Sequence, residues 1–220
     1  MEIISLQYKK RRGGGGETLV EFGDGSILSL DAELAVRFQL KSRMTLNADK
    51  FAQLQMEQSR LSARRRLIRH LSLRRKTRRE AENYLRELKF PEDAVLAAIN
   101  VAMEQGYLDD ADYTQAYVRG RERSAKKGPR AIFHELAAKG IAPDLANSAL
   151  EASRDPEIQR ARALEAGRRK AAALDKNEPR AARQKLTRFL IGKGYDHDIV
   201  FDVTHELLGE SQTEDEISPR

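Results

Sequence analysis

Ten arginine or lysine residues fall between Gln58 and Arg79 with no acidic residue among them: Arg60, Arg64, Arg65, Arg66, Arg69, Arg74, Arg75, Lys76, Arg78 and Arg79. The chemistry open to such a run is electrostatic capture of a polyanion or of an acidic protein surface. A second cluster, Arg119, Arg121, Arg123, Lys126, Lys127 and Arg130, is broken only by Glu122 and abuts Gly128-Pro129. A third comprises Arg180, Arg183, Lys185, Arg188 and Lys193. The candidate partner- or DNA-binding residues are Arg74, Arg75, Lys76, Arg78, Arg79, Arg119, Arg123, Lys126, Lys127, Arg130, Arg188 and Lys193. The plain alternative is a solvated helix face. Against it, the first run lacks the acidic i,i+4 partners that support ordinary exposed helices.

Other constellations reduce to structure. Gly13 to Gly16 is followed by Glu17-Thr18, without the Gly-Lys-Ser/Thr ending of a phosphate loop. His134-Glu135 lacks the second histidine of a zinc-binding helix, and His197 and His205 have no evident partner set. Asp109, Asp110 and Asp112 follow Gly106-Tyr107-Leu108 and read as helix caps before they read as cation ligands. Tyr107, Tyr113, Tyr117 and Tyr195 could stack on bases, but their spacing places them mainly on buried stripes. No nucleophile, base and acid assemble into a set. The expectation is a protein without catalysis, metal or cofactor.

The elements that must position the cations begin with a β segment. Residues 3–8, 17–22 and 26–30 read as strands, the last two joined by the turn signal Gly23-Asp24-Gly25. So small a sheet is marginal alone and should lean on a helix. Asp31 caps a helix over 32–40, and Asn47 opens one that contains Phe51 and Leu54 and runs into the arginines. There Leu61, Leu67, Ile68 and Leu71 keep an apolar stripe, so the basic stretch is an amphipathic helix. Thr77 with Glu80 is a capping box for a helix reaching Leu88, and Asp93 leads into one that Gly106 stops. Asp109 and Asp110 cap the next, Gly128-Pro129 precedes a helix over 131–139, and Pro143-Asp144 starts one ending near Leu150. Helices over 157–174, 179–192 and 198–208 complete the series. Hinges are expected at 155–156 and 175–178, and the acidic segment 210–220 is expected to be disordered.

One pattern recurs. Leu85, Leu136 and Leu190 are each followed five residues later by a large apolar residue (Phe90, Ile141, Tyr195) and eight later by an aspartate (Asp93, Asp144, Asp198). Two copies carry Lys-Gly before the apolar residue. Each reads as a helix end, a short turn and a new helix, and such repetition signals stacked helical units. The fold expected is all-α: elongated tandem three-helix repeats in three units, 51–108, 109–154 and 155–209, behind a small N-terminal antiparallel β-hairpin element over 1–50. If the repeats stack in phase, the basic clusters form a stripe.

Composition agrees. Of 220 residues, 34 % are charged and 6 % aromatic, with a net charge of +6 and no tryptophan, which suits slender helices with alanine and leucine cores. Cysteine is absent, removing disulfides, thiol catalysis and cysteine-based zinc sites. No stretch resembles a membrane span or a secretory signal. A soluble, cytoplasmic monomer without membrane contact is expected.

Several ordered motifs resemble the RecX family of regulatory proteins: Leu71-Ser72 with Arg74-Arg75-Lys76-Thr77-Arg78-Arg79-Glu80, Gly106-Tyr107-Leu108-Asp109-Asp110, Gly128-Pro129-Arg130, and Glu135-Leu136-Ala137-Ala138-Lys139-Gly140-Ile141. The resemblance covers roughly residues 63–208, and the N-terminal 50 residues are less diagnostic. It implies three tandem three-helix repeats and a partner, the RecA recombinase filament, whose ATPase and strand-exchange activities the protein modulates, usually by inhibition. The basic clusters would also contact single- and double-stranded DNA, and the alternative function is sequence-independent DNA binding. The chain departs from the pattern at Leu88-Lys89, where the other copies have Lys-Gly, and in the longer helix of the third unit.

Overall fold

Gly23, Asp24 and Gly25 do form a tight turn: Gly25 has φ +82°, and Asp24 Oδ1 accepts from Ser26 N at 2.9 Å. The structure, a computed structural model, describes residues 1–10, 15–124, 126–175 and 178–209. The expected disorder of 210–220, the linker residues 176–177 and Gly13 and Gly14 of the glycine run lie outside the described residues. The chain divides into two compact units, Met1–Asp109 and Asp110–Arg220.

In the first unit, β1 (Ile3–Lys10), β2 (Gly16–Phe22) and β3 (Ile27–Asp31) form one antiparallel sheet in that order. Along β2, Thr18, Val20 and Phe22 alternate inward. Helix α1 (Ala32–Arg37) follows, with Asp31 as its N-cap accepting from Glu33 N. It stops at Arg37, short of the expected Leu40, because the next two residues turn and Gln39 takes φ +51°.

Helix α2 (Ala48–Leu73) is one continuous run of 26 residues, capped by Asn47 accepting from Lys50 N, about 39 Å long at 1.5 Å per residue. It serves two cores. Its first half places Leu54 and Phe51 against Ile3, Val20, Phe22, Leu30 and Leu34, with Phe22 and Phe51 edge to face at 5.5 Å. Its second half places Ala63 and Leu67 against α3 (Arg78–Glu87) and α4 (Glu92–Glu104), where Ala81, Leu85, Val95, Ala98 and Ile99 are buried. The capping box at the start of α3 has both halves: Glu80 N donates to Thr77 Oγ1 and Thr77 N to Glu80 Oε2, each at 3.1 Å.

The second unit holds α5 (Asp110–Ser124), α6 (Pro129–Ala138) and α7 (Pro143–Leu150), a 3-10 turn (Glu151–Arg154), then α8 (Pro156–Ala172), α9 (Pro179–Lys193) and α10 (His197–Leu208). Proline occupies the first turn of α6, α7, α8 and α9. Val118, Ile132, Leu136, Ile141 and Leu150 fill one core. Ala163, Leu186, Leu190, Tyr195, Val200 and Val203 fill another. The expected hinge at Asp155-Pro156 is a helix start, in which Asp155 accepts from Ile158 N at 3.1 Å.

The recurring pattern is a left-handed C-cap. Phe90, Ile141 and Tyr195 donate their N–H to the carbonyls of Leu85, Leu136 and Leu190, and Lys89, Gly140 and Gly194 donate to Arg86, Ala137 and Ile191. This paired 6→1 and 5→2 bonding defines the Schellman turn and places the residue after the left-handed one on the helix hairpin. Asp93, Asp144 and Asp198 are all the second residue of the following helix, where a carboxylate suits the positive end of the helix dipole. Asp93 is therefore inside α4 and is not its cap; Pro91 holds that position with no side-chain bond.

The departure at Lys89 is one of residue and not of backbone. Its φ is +62°, against +82° at Gly140 and +88° at Gly194. A side chain in this region costs about 1 kcal/mol. Lys89→Gly is expected to raise stability by roughly 0.5–1 kcal/mol and Gly140→Ala to lower it by about 1 kcal/mol, both read from urea midpoints at unchanged slope.

Candidate functional site

The ten cations of the basic stretch divide by what α2 packs against. Arg60 reaches Asp93 at 2.7 Å and Glu57 at 2.9 Å. Arg65 pairs with Asp31, whose carboxylate also caps α1 and is buried, and Asp31 N donates to Gln58 of the same helix. Arg78 pairs with Glu82 at 2.8 Å. The stretch therefore has carboxylate partners after all, supplied from outside it. Arg64, Arg66, Arg69, Arg74, Lys76 and Arg79 form no ion pair with any described residue.

Three arginines of the stretch share a cleft. Ser62, Arg65, Arg66 and Arg69 repeat at three- and four-residue spacing on one face of α2, and with Phe90 they line a hollow of about 420 Å³. Phe90 arrives there as the apolar residue of the first Schellman turn. Arg74, Arg75 and Lys76 lie in the extended link after α2, and Arg78 and Arg79 open α3. All but the half-buried Lys76 are exposed, and none lines the cleft. Sequence reasoning counted Arg65, Arg66 and Arg69 in the run but selected the residues after them. Phe90 carried no signal beyond its place in the repeat.

In the second unit the clusters sort differently. Lys127 is bound to Glu135, which also accepts from Tyr117 Oη at 2.8 Å and lies 2.8 Å from Arg121. Burial works against the ionised form of Glu135, but hydrogen bonds from Lys127 and Tyr117 and the charge of Arg121 outweigh it and hold the carboxyl below its usual range. Arg130 pairs with Asp196 at 2.6 Å, and Asp196 is held in turn by buried Gln159 at 2.7 Å. Arg119 and Arg123, four apart on α5, are exposed and make no ion pair with described residues. Arg188 is exposed on α9.

Lys126 and Lys193, from separate sequence clusters, meet. With Glu165, Arg169, Lys170 and Phe189 they border a second cleft of about 420 Å³. Lys126 pairs with Glu165, and Lys193 Nζ sits 5.5 Å from the centre of the Phe189 ring. Arg169, Lys170 and Phe189 were not among the sequence candidates. The two lysines meet because Gly128 N donates to Lys193 O at 2.8 Å and Arg130 N to Gly194 O at 3.1 Å. A Cβ on Gly128 would lie 2.4 Å from Gly194 O. Tyr195 seals the joint: it is 2 % exposed, its hydroxyl donates to Lys126 O at 3.0 Å, and burial pushes its pKa up to about 12.

Of the other tyrosines, Tyr113 and Tyr117 are half-buried and stacked at 5.8 Å. Tyr107 is exposed, against expectation, because it follows the left-handed Gly106 and has left the helical phase. Among the described residues no helix is long and apolar enough to cross a membrane.

Both clefts join several cations to one phenylalanine, an arrangement that can hold phosphates or carboxylates beside an apolar or aromatic group. His70 reports on the cations that follow α2. It stacks on Tyr84 at 3.8 Å, and its pKa is lowered by burial first and then by the charges of Lys76 and Arg74. Unfolded His70 takes up its proton near 6.5 while the folded form resists, so its contribution to stability is flat above that value and falls as pH drops below it. An NMR titration is expected to give a midpoint below 6.5, moved upward by Lys76→Gln with Arg74→Gln and by a bound polyanion.

Comparison with known proteins gives a consistent result. Models of the second and third three-helix domains of RecX match residues 109–150 and 157–204. The regulatory protein RecX of Mycolicibacterium vanbaalenii is 34 % identical over 157 residues, covering 68 % of this chain and 85 % of that protein. That of Clostridium botulinum is 29 % identical over 209 residues, 94 % of this chain and 96 % of its own. Among solved structures, RecX from Lactobacillus salivarius aligns with a TM-score of 0.61 at 27 % identity, over 68 % of this chain and 96 % of its own. A second RecX crystal structure aligns with a TM-score of 0.68 at 24 % identity over 92 % of this chain and 98 % of its own.

Proposed function

The chain belongs to the RecX family of regulatory proteins, and from that premise we propose that it binds the RecA recombinase filament and inhibits its ATPase and strand-exchange activities. The observation that carries the reading is the cleft of Arg65, Arg66 and Arg69 beside Phe90, in which Arg66 and Arg69 are not neutralised by any described carboxylate. A field of this sign draws an acidic filament surface or its DNA. The protein performs no chemistry of its own in this reading. It acts by binding one filament state more tightly than another, and shifts the population by that difference alone. It acts in the cytoplasm, where the filament is.

A second reading is favoured by the phenylalanine in each cleft. Bases stack on an aromatic ring while adjacent cations hold the phosphates, which is how sequence-independent single-strand binding works. In that case the protein acts on DNA, and occupancy falls steeply with salt, with a slope of about −0.7 per phosphate contacted on a single strand.

The test is single-stranded-DNA-dependent ATP hydrolysis by RecA, titrated with this protein, with binding to naked DNA measured in the same buffer. Suppression is expected at concentrations too low to coat the DNA. The variant Arg66→Glu, Arg69→Glu, Arg74→Glu is expected to need roughly tenfold more protein or above, since each surface charge contributes about 0.5–1 kcal/mol. Unchanged inhibition by a fully helical variant would remove the role given to the cleft. Suppression that only tracks DNA occupancy would favour the second reading.

A further inference from the structure

One aromatic ring of the first unit is seated but uncovered. Strands β1 and β2 pair Leu6 with Val20, Tyr8 with Thr18 and Lys10 with Gly16. Side chains alternate along a strand, so Tyr8 and Lys10 continue the face on which Leu6 and Val20 join the core. Beyond Leu6 that face leaves the core: Tyr8 is 64 % exposed, and Lys9 and Lys10 are exposed as well. Neither lysine makes an ion pair with a described residue.

The ring is held in place by what lies beneath it. It rests over Gly16, where a Cβ would come within 2.6 Å of Tyr8 Cζ. Gly16 is outside the left-handed region, so its backbone would admit a side chain, and it is the ring that excludes one. A tyrosine lying on a cross-strand glycine stabilises the sheet. It also fixes an aromatic plane with one side on the glycine and the other toward solvent. An ordered ring of this kind has less freedom to lose when a ligand arrives.

The plane stands at the same end of the sheet as the arginine cleft. Thr18 pairs in turn with Leu30, so Tyr8, Thr18 and Leu30 form one row, about 10 Å across at two strand spacings. Asp31, next to Leu30, is the residue that pairs with Arg65, and Arg65 lines the cleft with Arg66, Arg69 and Phe90.

We propose that the β1–β2 hairpin is part of a single-strand binding surface: a nucleic acid whose phosphates lie on Arg66 and Arg69 stacks one base on Tyr8, with Lys10 beside an adjoining phosphate. The proposal rests on the DNA-binding reading above and adds to it an element that the basic clusters did not point to. The ring selects an unpaired strand, because bases inside a duplex are already stacked on both faces. An acidic protein surface would engage the lysines and leave the ring idle, so stacking separates the two kinds of partner.

The chain has no tryptophan, so Tyr8→Trp places a single reporter at the ring. Titration of this full-length variant with oligothymidylate is expected to quench its emission saturably by about half, while inorganic polyphosphate of matched charge leaves it unchanged. With the native tyrosine as reference, anisotropy of a labelled oligothymidylate is expected to show affinity about tenfold lower for Tyr8→Leu and unaltered for Tyr8→Phe. Leucine keeps an apolar cover over Gly16, and circular dichroism checks that the fold is retained. The salt slope is expected to stay the same in Tyr8→Leu and to shrink by about 0.7 in Arg66→Gln. Oligothymidylate binding without quenching would overturn the proposal and leave the DNA-binding reading standing, as would equal quenching by polyphosphate or full affinity in Tyr8→Leu. Absence of oligothymidylate binding to the native chain would overturn both.

Discussion

Each of the three hairpins in the repeat region turns on one left-handed residue, and the rest of the helical architecture depends on it. The turn releases the chain from its helix, satisfies the last carbonyls and aims the next apolar side chain at the hairpin core. In the third copy the same residue carries a second load. Gly194 not only ends α9 but lets the start of α6 approach backbone to backbone, with Gly128 N on Lys193 O and Arg130 N on Gly194 O. A Cβ on Gly194 would sit 2.3 Å from Ala131 N. Glycine is thus required there for contact as well as for conformation, whereas the turn at Lys89 tolerates a side chain because only conformation is at stake.

That joint decides which cations are available for binding. Closing α6 onto the α9–α10 turn brings Arg130 to Asp196 and buries Gln159 beneath it. Lys126 and Lys193 are drawn to the rim of one cleft. Lys127 is spent on Glu135, inside the network with Tyr117 and Arg121. A cluster that looks uniform in sequence is therefore divided into charges that hold the fold and charges that face outward. The first run is divided in the same way, because Asp31 and Asp93 reach it from neighbouring elements.

Where signals are local, the sequence was readable. The capping box at Thr77 and Glu80, the Asn47 and Asp31 caps, the Gly23-Asp24-Gly25 turn and the proline starts all concern backbone groups a few residues away. The spacing of leucine, apolar residue and aspartate revealed the repeat because the Schellman turn fixes that spacing. What was not legible is non-local. Nothing near Arg65 predicts that Asp31, 34 residues earlier, will neutralise it. Phe90 and Phe189 look like ordinary core residues until the clefts form around them, and Arg169 and Lys170 belong to a short basic run with Arg168 that stands apart from the three clusters singled out. The apparent lack of acids in the basic run was true of the run and misleading about its surroundings.

The kind of concavity formed follows from the construction. Two or three helices joined by short turns leave shallow spaces at their ends and seams, lined by side chains from one repeat or two adjacent ones. Such hollows, open to solvent, bring charges together without excluding water. Their strength lies in number: several weak, separated contacts can follow an extended partner, and their energies add when the spacing matches. A partner whose spacing changes with its state then changes how many contacts are made at once. In the proposed reading, discrimination between states would need no bistable element within the protein itself; within the second unit, the glycine-dependent joint between α6 and the α9–α10 turn brings the residues of one cleft together.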